Sequence, residues 1–110
     1  MMMTTWEDLE RIGARIVEAI HPERIIVFGS WVRGEAGPDS DVDLLVITRD
    51  VYDAVHSRRG VLARLSRLLA KVPVPMDIAL FNQDEVERWR HSVNHMIAQA
   101  LREGKVLYER

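Results

Sequence analysis

The sequence predicts an α/β (α+β) protein in which helices pack on a mixed β-sheet. Short apolar runs rich in β-branched residues alternate with longer segments whose apolar residues recur at helical spacing. Only short stretches containing Gly and Pro separate these segments, so no interdomain linker is expected. With 110 residues, 47% of them hydrophobic and 29% charged, the chain fits a single globular domain over residues 1–110.

The first two predicted elements are an amphipathic helix and a buried strand. Thr4 and Glu7 have the spacing of a capping box at the start of the helix, and a His-Pro pair ends it. Residues 24–28 are apolar and largely β-branched, and a glycine ends this run, which is typical of a strand buried on both faces. The apolar side of the helix consists of Leu9, Ile12, Ile16, Val17 and Ile20.

A strand, a helix and another strand are predicted next. Residues 41–47 begin with acidic side chains and then turn apolar, and residues 59–71 carry leucines at helical spacing. Residues 76–81 form a third short apolar run. Pro73 and Pro75 precede it, which suits the entrance or edge of a strand better than its centre.

The last part of the chain predicts one long helix and a short final strand. Asn82 and Glu85 have capping-box spacing, and apolar residues recur at helical spacing over residues 86–101. Gly104 provides the stop signal for this helix. Residues 105–108 are long enough to add one more strand to the sheet.

A Gly-Ser pair and three aspartates are the candidate catalytic residues. Gly29-Ser30 follows a buried strand, where backbone N–H groups can bind a phosphate. After ten intervening residues, Asp41 and Asp43 share one face of the next strand, with Cα atoms about 7 Å apart. Such a pair can hold two divalent cations, and Asp77 joins it if its strand lies alongside. This set predicts nucleotidyl transfer with Mg²⁺ or Mn²⁺, in which Asp77 takes the proton of the acceptor hydroxyl.

Each of these features also has a structural interpretation. Gly29-Ser30 alone is an ordinary turn, and Asp41 and Asp43 can be solvated residues that open a strand or can cap the turn at residues 38–40. Asp77 can instead pair with an arginine, because an unpaired buried carboxylate is costly.

Several other side chains have two interpretations as well. Arg33 lies one turn beyond the serine and is either a phosphate ligand or a solvated charge. His91 and His95 have a zinc-compatible spacing without a third ligand, so two surface histidines are favoured. Trp31 packs either in the core or beside a nucleotide or partner.

The segment GSWVRGEAGPDSDVDL, residues 29–44, resembles the nucleotidyltransferase motif of the DNA polymerase β superfamily. Most of the chain is similar to the smallest members, the minimal nucleotidyltransferases (MNT). The resemblance implies the nucleotidyltransferase fold, with Gly29 and Ser30 on the phosphates of the nucleotide. It also implies Asp41 and Asp43 as metal ligands and Asp77 as a third ligand or base, with Mg²⁺ or Mn²⁺ as cofactor and ATP as donor.

MNT proteins of this size are commonly the antitoxin of a HEPN/MNT toxin–antitoxin pair. The resemblance therefore implies transfer of AMP to a tyrosine of a HEPN ribonuclease toxin from an adjacent gene. The length agrees, because 110 residues leave little chain for a separate acceptor-binding domain. Two alternatives stay open: an antitoxin or scaffold that binds its partner without catalysis, and nucleotide transfer to a small molecule with an accessory subunit. A homo- or hetero-oligomer is compatible with each of them.

Composition excludes several other classes. A net charge of −2 gives no general attraction for DNA, so bulk DNA binding is not expected. Without cysteine, any metal must be held by carboxylates or imidazoles. No run approaches the roughly 18 apolar residues that span a membrane, and the start lacks the regions of a signal peptide. We therefore expect a cytoplasmic protein that does not associate with membranes.

Overall fold

The computed structural model describes residues 4–37, 40–50, 52 and 56–110. Within these residues the helices and strands follow the predicted order, except that the last predicted helix is divided in two, and the mixed α/β architecture is confirmed. None of the helices in this part of the chain is both long and apolar enough to cross a membrane. The elements are α1 Trp6–Ile20, β1 Arg24–Phe28, β2 Val42–Thr48, α2 Arg58–Leu68, β3 Met76–Asn82, α3 Gln83–Trp89, α4 Met96–Glu103 and β4 Lys105–Glu109.

The four strands form one mixed sheet in the order β3-β2-β1-β4. Strand β1 is antiparallel to both β2 and β4, whereas β2 and β3 are parallel. Parallel neighbours need a crossover connection, and α2 supplies it between β2 and β3. The acidic starts of β2 and β3 therefore lie at the same end of the sheet.

Helices cover both faces of the sheet, because successive strand residues point to opposite sides. Val42, Leu44 and Val46 of β2 pack with buried residues of α1 and α2. Leu45 and Ile47 belong to a second core cluster, which includes residues of α3 and α4. Asp43 has the same strand parity as this second group and so points to the α3/α4 face. The helical residues in the two clusters are Leu9, Ile12, Ile16 and Leu65 on the first face and Val86, Ile97 and Ala100 on the second.

The capping box of α1 is one residue later than the sequence prediction. Thr5 Oγ1 accepts a hydrogen bond from Asp8 N at 3.2 Å, and Thr5 N donates to Asp8 Oδ2 at 2.9 Å. The predicted pair, Thr4 and Glu7, has the same spacing, so the sequence offers two adjacent registers and does not select between them.

The predicted long C-terminal helix is wrong, because the chain breaks between α3 and α4. His95 has an extended backbone, and its Nδ1 accepts a hydrogen bond from Ile97 N at 3.1 Å, which caps α4. Its ring also stacks on Trp89 at 4.7 Å between centroids. His91 and His95 consequently do not lie on one helix, and the zinc spacing is lost. The intervening Ser92 and Asn94 are residue types that favour turns over helix interiors.

Candidate active site

Gly29 and Asp43 join the Gly-Ser turn to the acidic strand. Phe28 at the end of β1 pairs with Asp43 of β2, so the next residue, Gly29, lies directly beside that carboxylate. Gly29 has φ of +79°, and a Cβ at this position would overlap Asp43 Oδ2. Only glycine combines this backbone angle with so close a neighbour. The two halves of the sequence motif therefore form one site.

The turn after β1 holds backbone donors that have no backbone partner among the described residues. Arg33 N donates to Gly29 O at 3.3 Å, and Glu35 N donates to Ser30 O at 2.9 Å. The backbone N–H groups of Ser30, Trp31 and Val32 donate to no backbone oxygen of a described residue. This is the arrangement of the first turn of a helix, whose N–H groups bind anions such as phosphate.

The parallel register places Asp43 directly opposite Asp77. Asp41 immediately precedes β2; Asp41 and Asp77 are exposed, whereas Asp43 is half-buried. Burial raises the pKa of Asp43, the negative charges of Asp77 and Asp41 raise it further, and Arg33 partly offsets them. A cation between these carboxylates would relieve both the repulsion and the desolvation. The alternative capping role at residues 38–40 involves Pro38 and Asp39, which lie outside the described residues.

The side chains at this site suit a hard divalent cation. Carboxylate oxygens are the ligands that Mg²⁺ prefers, and Mg²⁺ is usually held by one or two carboxylates together with substrate phosphates. No three carboxylates or imidazoles among the described residues are gathered tightly enough to hold a metal ion by themselves. The set of three aspartate ligands therefore stays a prediction. Within it, Asp43 and Asp77 lie directly opposite each other on neighbouring strands.

Arg33 is held beside the site by acidic side chains. Its Nε donates to Glu35 Oε2 at 3.0 Å, and its Nη1 lies 3.7 Å from Glu103 Oε2. The hydrogen bond to Glu35 raises the pKa of Arg33, so the guanidinium stays charged.

Trp31 is half-buried and packs against the core. It stacks on Trp6 of α1 with ring centroids 6.1 Å apart and packs against the core cluster on the α1/α2 face. This contact fixes the turn against the start of α1.

Arg58 is a residue of this region that the sequence interpretation missed. A cavity of about 310 Å³ begins at Asp43 and Asp77 and reaches Arg58 at the start of α2. The guanidinium lies over the rings of Tyr52 and Phe81, at 5.0 and 5.3 Å from their centroids. Its Nη2 also donates to a carboxylate oxygen of a residue 27 positions away, Glu85. Sequence patterns such as helical periodicity relate residues only a few positions apart, so they could not have predicted this contact.

Glu85 has two roles at once. Its Oε1 accepts from Asn82 N at 2.9 Å, which completes the predicted capping box of α3, and its Oε2 accepts from Arg58. Burial alone would raise the pKa of Glu85, but the hydrogen bonds from Arg58 and Asn82 outweigh it and lower the pKa.

We expect Glu85→Gln to destabilise the protein by about 1.5–3 kcal/mol at pH 7, the range for a hydrogen bond to a charged group. Because the folded-state pKa is lowered, this stabilisation is complete above the ordinary value of 4.5 and is lost as the pH falls through the folded-state pKa. Urea unfolding of both proteins at pH 7 and pH 3 tests this. A difference as large at pH 3 as at pH 7 would contradict it.

A mixed sheet with a Gly-Ser turn after one strand and facing carboxylates on the next two is the arrangement expected of a nucleotidyltransferase domain. Residues 9–106 match the family described as nucleotidyltransferase domain, and the chain belongs to this family.

Individual relatives agree with this assignment. The protein adenylyltransferase MntA of Thermococcus cleftensis is 48% identical over 50 residues, which are 42% of this chain and 50% of that protein. The chain thus aligns with about half the length of this curated relative.

Solved structures share the fold. A Sulfolobus solfataricus protein named as a nucleotidyltransferase superposes with a TM-score of 0.63 at 18% identity, covering 96% of this chain and 80% of that one. The MNT antitoxin complex with the tri-AMPylated HEPN toxin of Shewanella oneidensis gives a TM-score of 0.53 at 17% identity, covering 96% and 74%. At these identities the likeness concerns the fold alone.

Proposed function

We propose that this protein is a Mg²⁺-dependent adenylyltransferase that transfers AMP from ATP to a tyrosine of a partner HEPN-type toxin and so acts as an antitoxin. The observation that carries the proposal is the contact of Gly29 with Asp43, which faces Asp77 on the adjacent strand. The similarity to MntA and to an MNT antitoxin bound to an AMPylated HEPN toxin supports it. In this proposal, residues 1–110 form a single minimal catalytic domain.

The free N–H groups after Gly29 bind the phosphates of ATP. Glycine lets a phosphate oxygen approach the backbone closely, and the turn keeps its donors fixed before the nucleotide arrives. Arg33 adds a positive charge beside the turn, although Glu35 and Glu103 neutralise much of it. The turn therefore orients the triphosphate relative to Asp43.

Asp41, Asp43 and Asp77 would hold Mg²⁺ or Mn²⁺, which would supply charge neutralisation at the triphosphate and activation of the acceptor hydroxyl. Asp77 accepts the hydroxyl proton on a carboxylate oxygen. The hydroxyl oxygen bonds to the α-phosphorus, the bond from that phosphorus to the bridging oxygen breaks, and pyrophosphate leaves. The products are an AMP ester of the acceptor and pyrophosphate.

The position of the label in ATP tests this reaction directly. The protein is incubated with Mg²⁺, the product of the adjacent gene and ATP radiolabelled at either the α- or the γ-phosphate. Among the reaction products, we expect the α-label on the partner and the γ-label in pyrophosphate, with no γ-label on the partner. Removal of Mg²⁺ with EDTA should reduce labelling to background, and added Mn²⁺ should restore it.

Partner labelled from the γ-position would instead indicate phosphoryl transfer. Labelling that persists in EDTA, or no transfer from either position, would also contradict the proposal. Labelling of a free small hydroxyl compound in place of the protein would favour the small-molecule alternative.

A further inference from the structure

Strand β3 has an open outer edge. In the described part of the chain it pairs only with β2. The cavity of about 310 Å³ touches five consecutive residues of this strand, 77–81. Because successive strand side chains point to opposite faces, a cavity that contacts five in a row lies along the edge of the strand. Its unpaired backbone groups are therefore accessible to another chain.

A second cavity extends this space along α2. It has a volume of about 480 Å³ and shares Leu62, Asp77 and Ile78 with the first. We call the two cavities together the edge groove. The part of β3 that precedes Arg58, residues 76–80, extends for roughly 16 Å, enough for a short added strand.

The edge groove lies on the acceptor side of the site. The phosphate-binding turn follows β1, Asp43 lies on β2, and Asp77 lies on β3, so the groove runs from Phe28 and Asp43, beside the turn, outwards to the edge of β3. In phosphoryl and nucleotidyl transfer the attacking and leaving oxygens are roughly in line. With the leaving pyrophosphate over the turn, the acceptor hydroxyl approaches from the side of β3.

The helix beside the groove is basic. Residues 57–75 contain five Arg and Lys residues and no Asp or Glu, although the whole chain has a net charge of −2. Arg59 and Arg67 are exposed and form no ion pair with a described residue. Arg59 precedes Ser66, which lines the second cavity, by seven residues and so shares its side of α2. The charge of this flank favours an acidic occupant.

From these observations we infer that the edge groove binds an extended acidic segment of the partner polypeptide as an added strand on β3, with the acceptor hydroxyl beside Asp77. Main-chain hydrogen bonds provide affinity in such strand addition, and the flanking side chains provide specificity. The transfer step rests on the proposed function, whereas the binding step does not.

Arg58 closes the far end of the groove. It spans from α2 to Glu85 of α3 and thereby links the helix layers on the two faces of the sheet. Its Nε is buried and has no hydrogen-bond partner among the described residues. A single-stranded RNA would also satisfy the basic flank, but it has no peptide groups to pair with a strand edge. The unpaired edge therefore favours a polypeptide.

Binding of short peptides in the absence of ATP tests the groove. The probe is a fluorescein-labelled heptapeptide, Glu-Glu-Ile-Tyr-Val-Glu-Glu, and its counterpart has Lys at every Glu. By fluorescence anisotropy we expect the acidic peptide to bind at least tenfold more tightly. In an extended peptide, successive N–H groups point to opposite sides, so only every second amide can bond to β3. N-methylation of the amides that face β3 should therefore weaken binding at least tenfold, whereas N-methylation of the other amides should not weaken it.

Charge-reversal variants locate the binding surface. Arg59→Glu with Arg67→Glu should weaken binding of the acidic peptide at least tenfold. The matched control, Arg15→Glu with Arg102→Glu, makes the same charge change at exposed positions of α1 and α4 and should change it less than threefold. The thermal unfolding midpoints of both variants are measured alongside, so that a loss of fold is recognised.

Three outcomes would overturn the inference: equal effects of the two N-methylated sets, equal losses in the two charge-reversal variants, or displacement of the acidic peptide by a heptamer of uridine at equal concentration. Asp41→Asn separates this inference from the proposed function. The Asp41 side chain is a proposed metal ligand but does not line the groove, so this variant should lose AMP transfer and keep peptide binding. Peptide binding without AMP transfer in the unmodified protein contradicts only the proposed function. If Arg59→Glu with Arg67→Glu leaves AMP transfer to the partner unchanged, only the inference about the groove is contradicted.

Discussion

Asp43→Asn is expected to stabilise the folded protein at neutral pH while it lowers AMP transfer at least about 100-fold. Substitution of residues that only hydrogen-bond to a metal ligand typically lowers metal affinity or activity by up to about 100-fold. The Asp43 carboxylate is itself a proposed ligand, so its loss should cost at least as much. The gain in stability comes from the same carboxylate, which is half-buried and opposed by two other aspartates. Asparagine has nearly the same shape and no charge.

The pH dependence of the stability difference has a defined sign. The pKa of Asp43 is raised above the ordinary value of 3.8. Below that value the carboxyl is protonated in both the folded and the unfolded states, so it costs nothing. As the pH rises through the folded-state pKa, the unfolded state ionises more readily and the folded state loses relative stability. We therefore expect Asp43→Asn to have the higher unfolding midpoint at pH 7 and an equal midpoint at pH 3.

Divalent cation provides a second readout on the same pair of proteins. A ligand that binds only the folded state raises the unfolding midpoint as its concentration rises. Mg²⁺ should therefore stabilise the unmodified protein more than Asp43→Asn. Glu18→Gln, at an exposed position of α1, is the control for loss of one negative charge. An Asn variant that is less stable than the unmodified protein at pH 7 would contradict the electrostatic argument.

The elements that the sequence predicts well are those with a local signal. The strand at Arg24–Phe28 has the predicted bounds, and the capping box of Asn82 and Glu85 forms as expected. Both depend on residues within a few positions of one another. The one-residue shift to Thr5 and Asp8 marks the limit of such signals, because two overlapping patterns are equally good locally.

Features that depend on topology could be predicted only conditionally. Asp77 lies beside Asp43 because β2 and β3 are parallel and in register, which no periodicity reveals. The break at His95 depends on how α4 packs Ile97 against the sheet, and this competes with a pattern that continues through it. Arg58 and its aromatic neighbours come together only after α2 crosses from β2 to β3.

Gly29→Ala is expected to destabilise the protein by about 1–3 kcal/mol, the cost of a non-glycine residue in a strained backbone region. It should also lower AMP transfer about 100-fold, the effect of displacing a reacting group by about 1 Å. The backbone at this position has φ of +79°, and the added methyl group would overlap the carboxylate of Asp43. Either the turn or the carboxylate must then move, and both belong to the site.

Gly34→Ala is the matched control, because it separates backbone strain from the clash. Gly34 has φ of +74°, and a Cβ there would meet no atom within 4 Å. The control should therefore lose stability through strain alone and should keep more of its transfer activity than Gly29→Ala. Urea unfolding and transfer of the α-label measure the two losses on the same preparations.

The double variant of Gly29→Ala with Asp43→Ala tests the contact between the turn and the carboxylate. Removal of the carboxylate leaves room for the new methyl group, so Gly29→Ala should cost less stability in an Asp43→Ala background than in the unmodified protein, while transfer stays at background. A coupling of this kind is expected between residues in contact and not between distant, independent sites. Additive effects of the two substitutions on stability would show that the turn does not rest on Asp43, and the geometry of the proposed site would then be wrong.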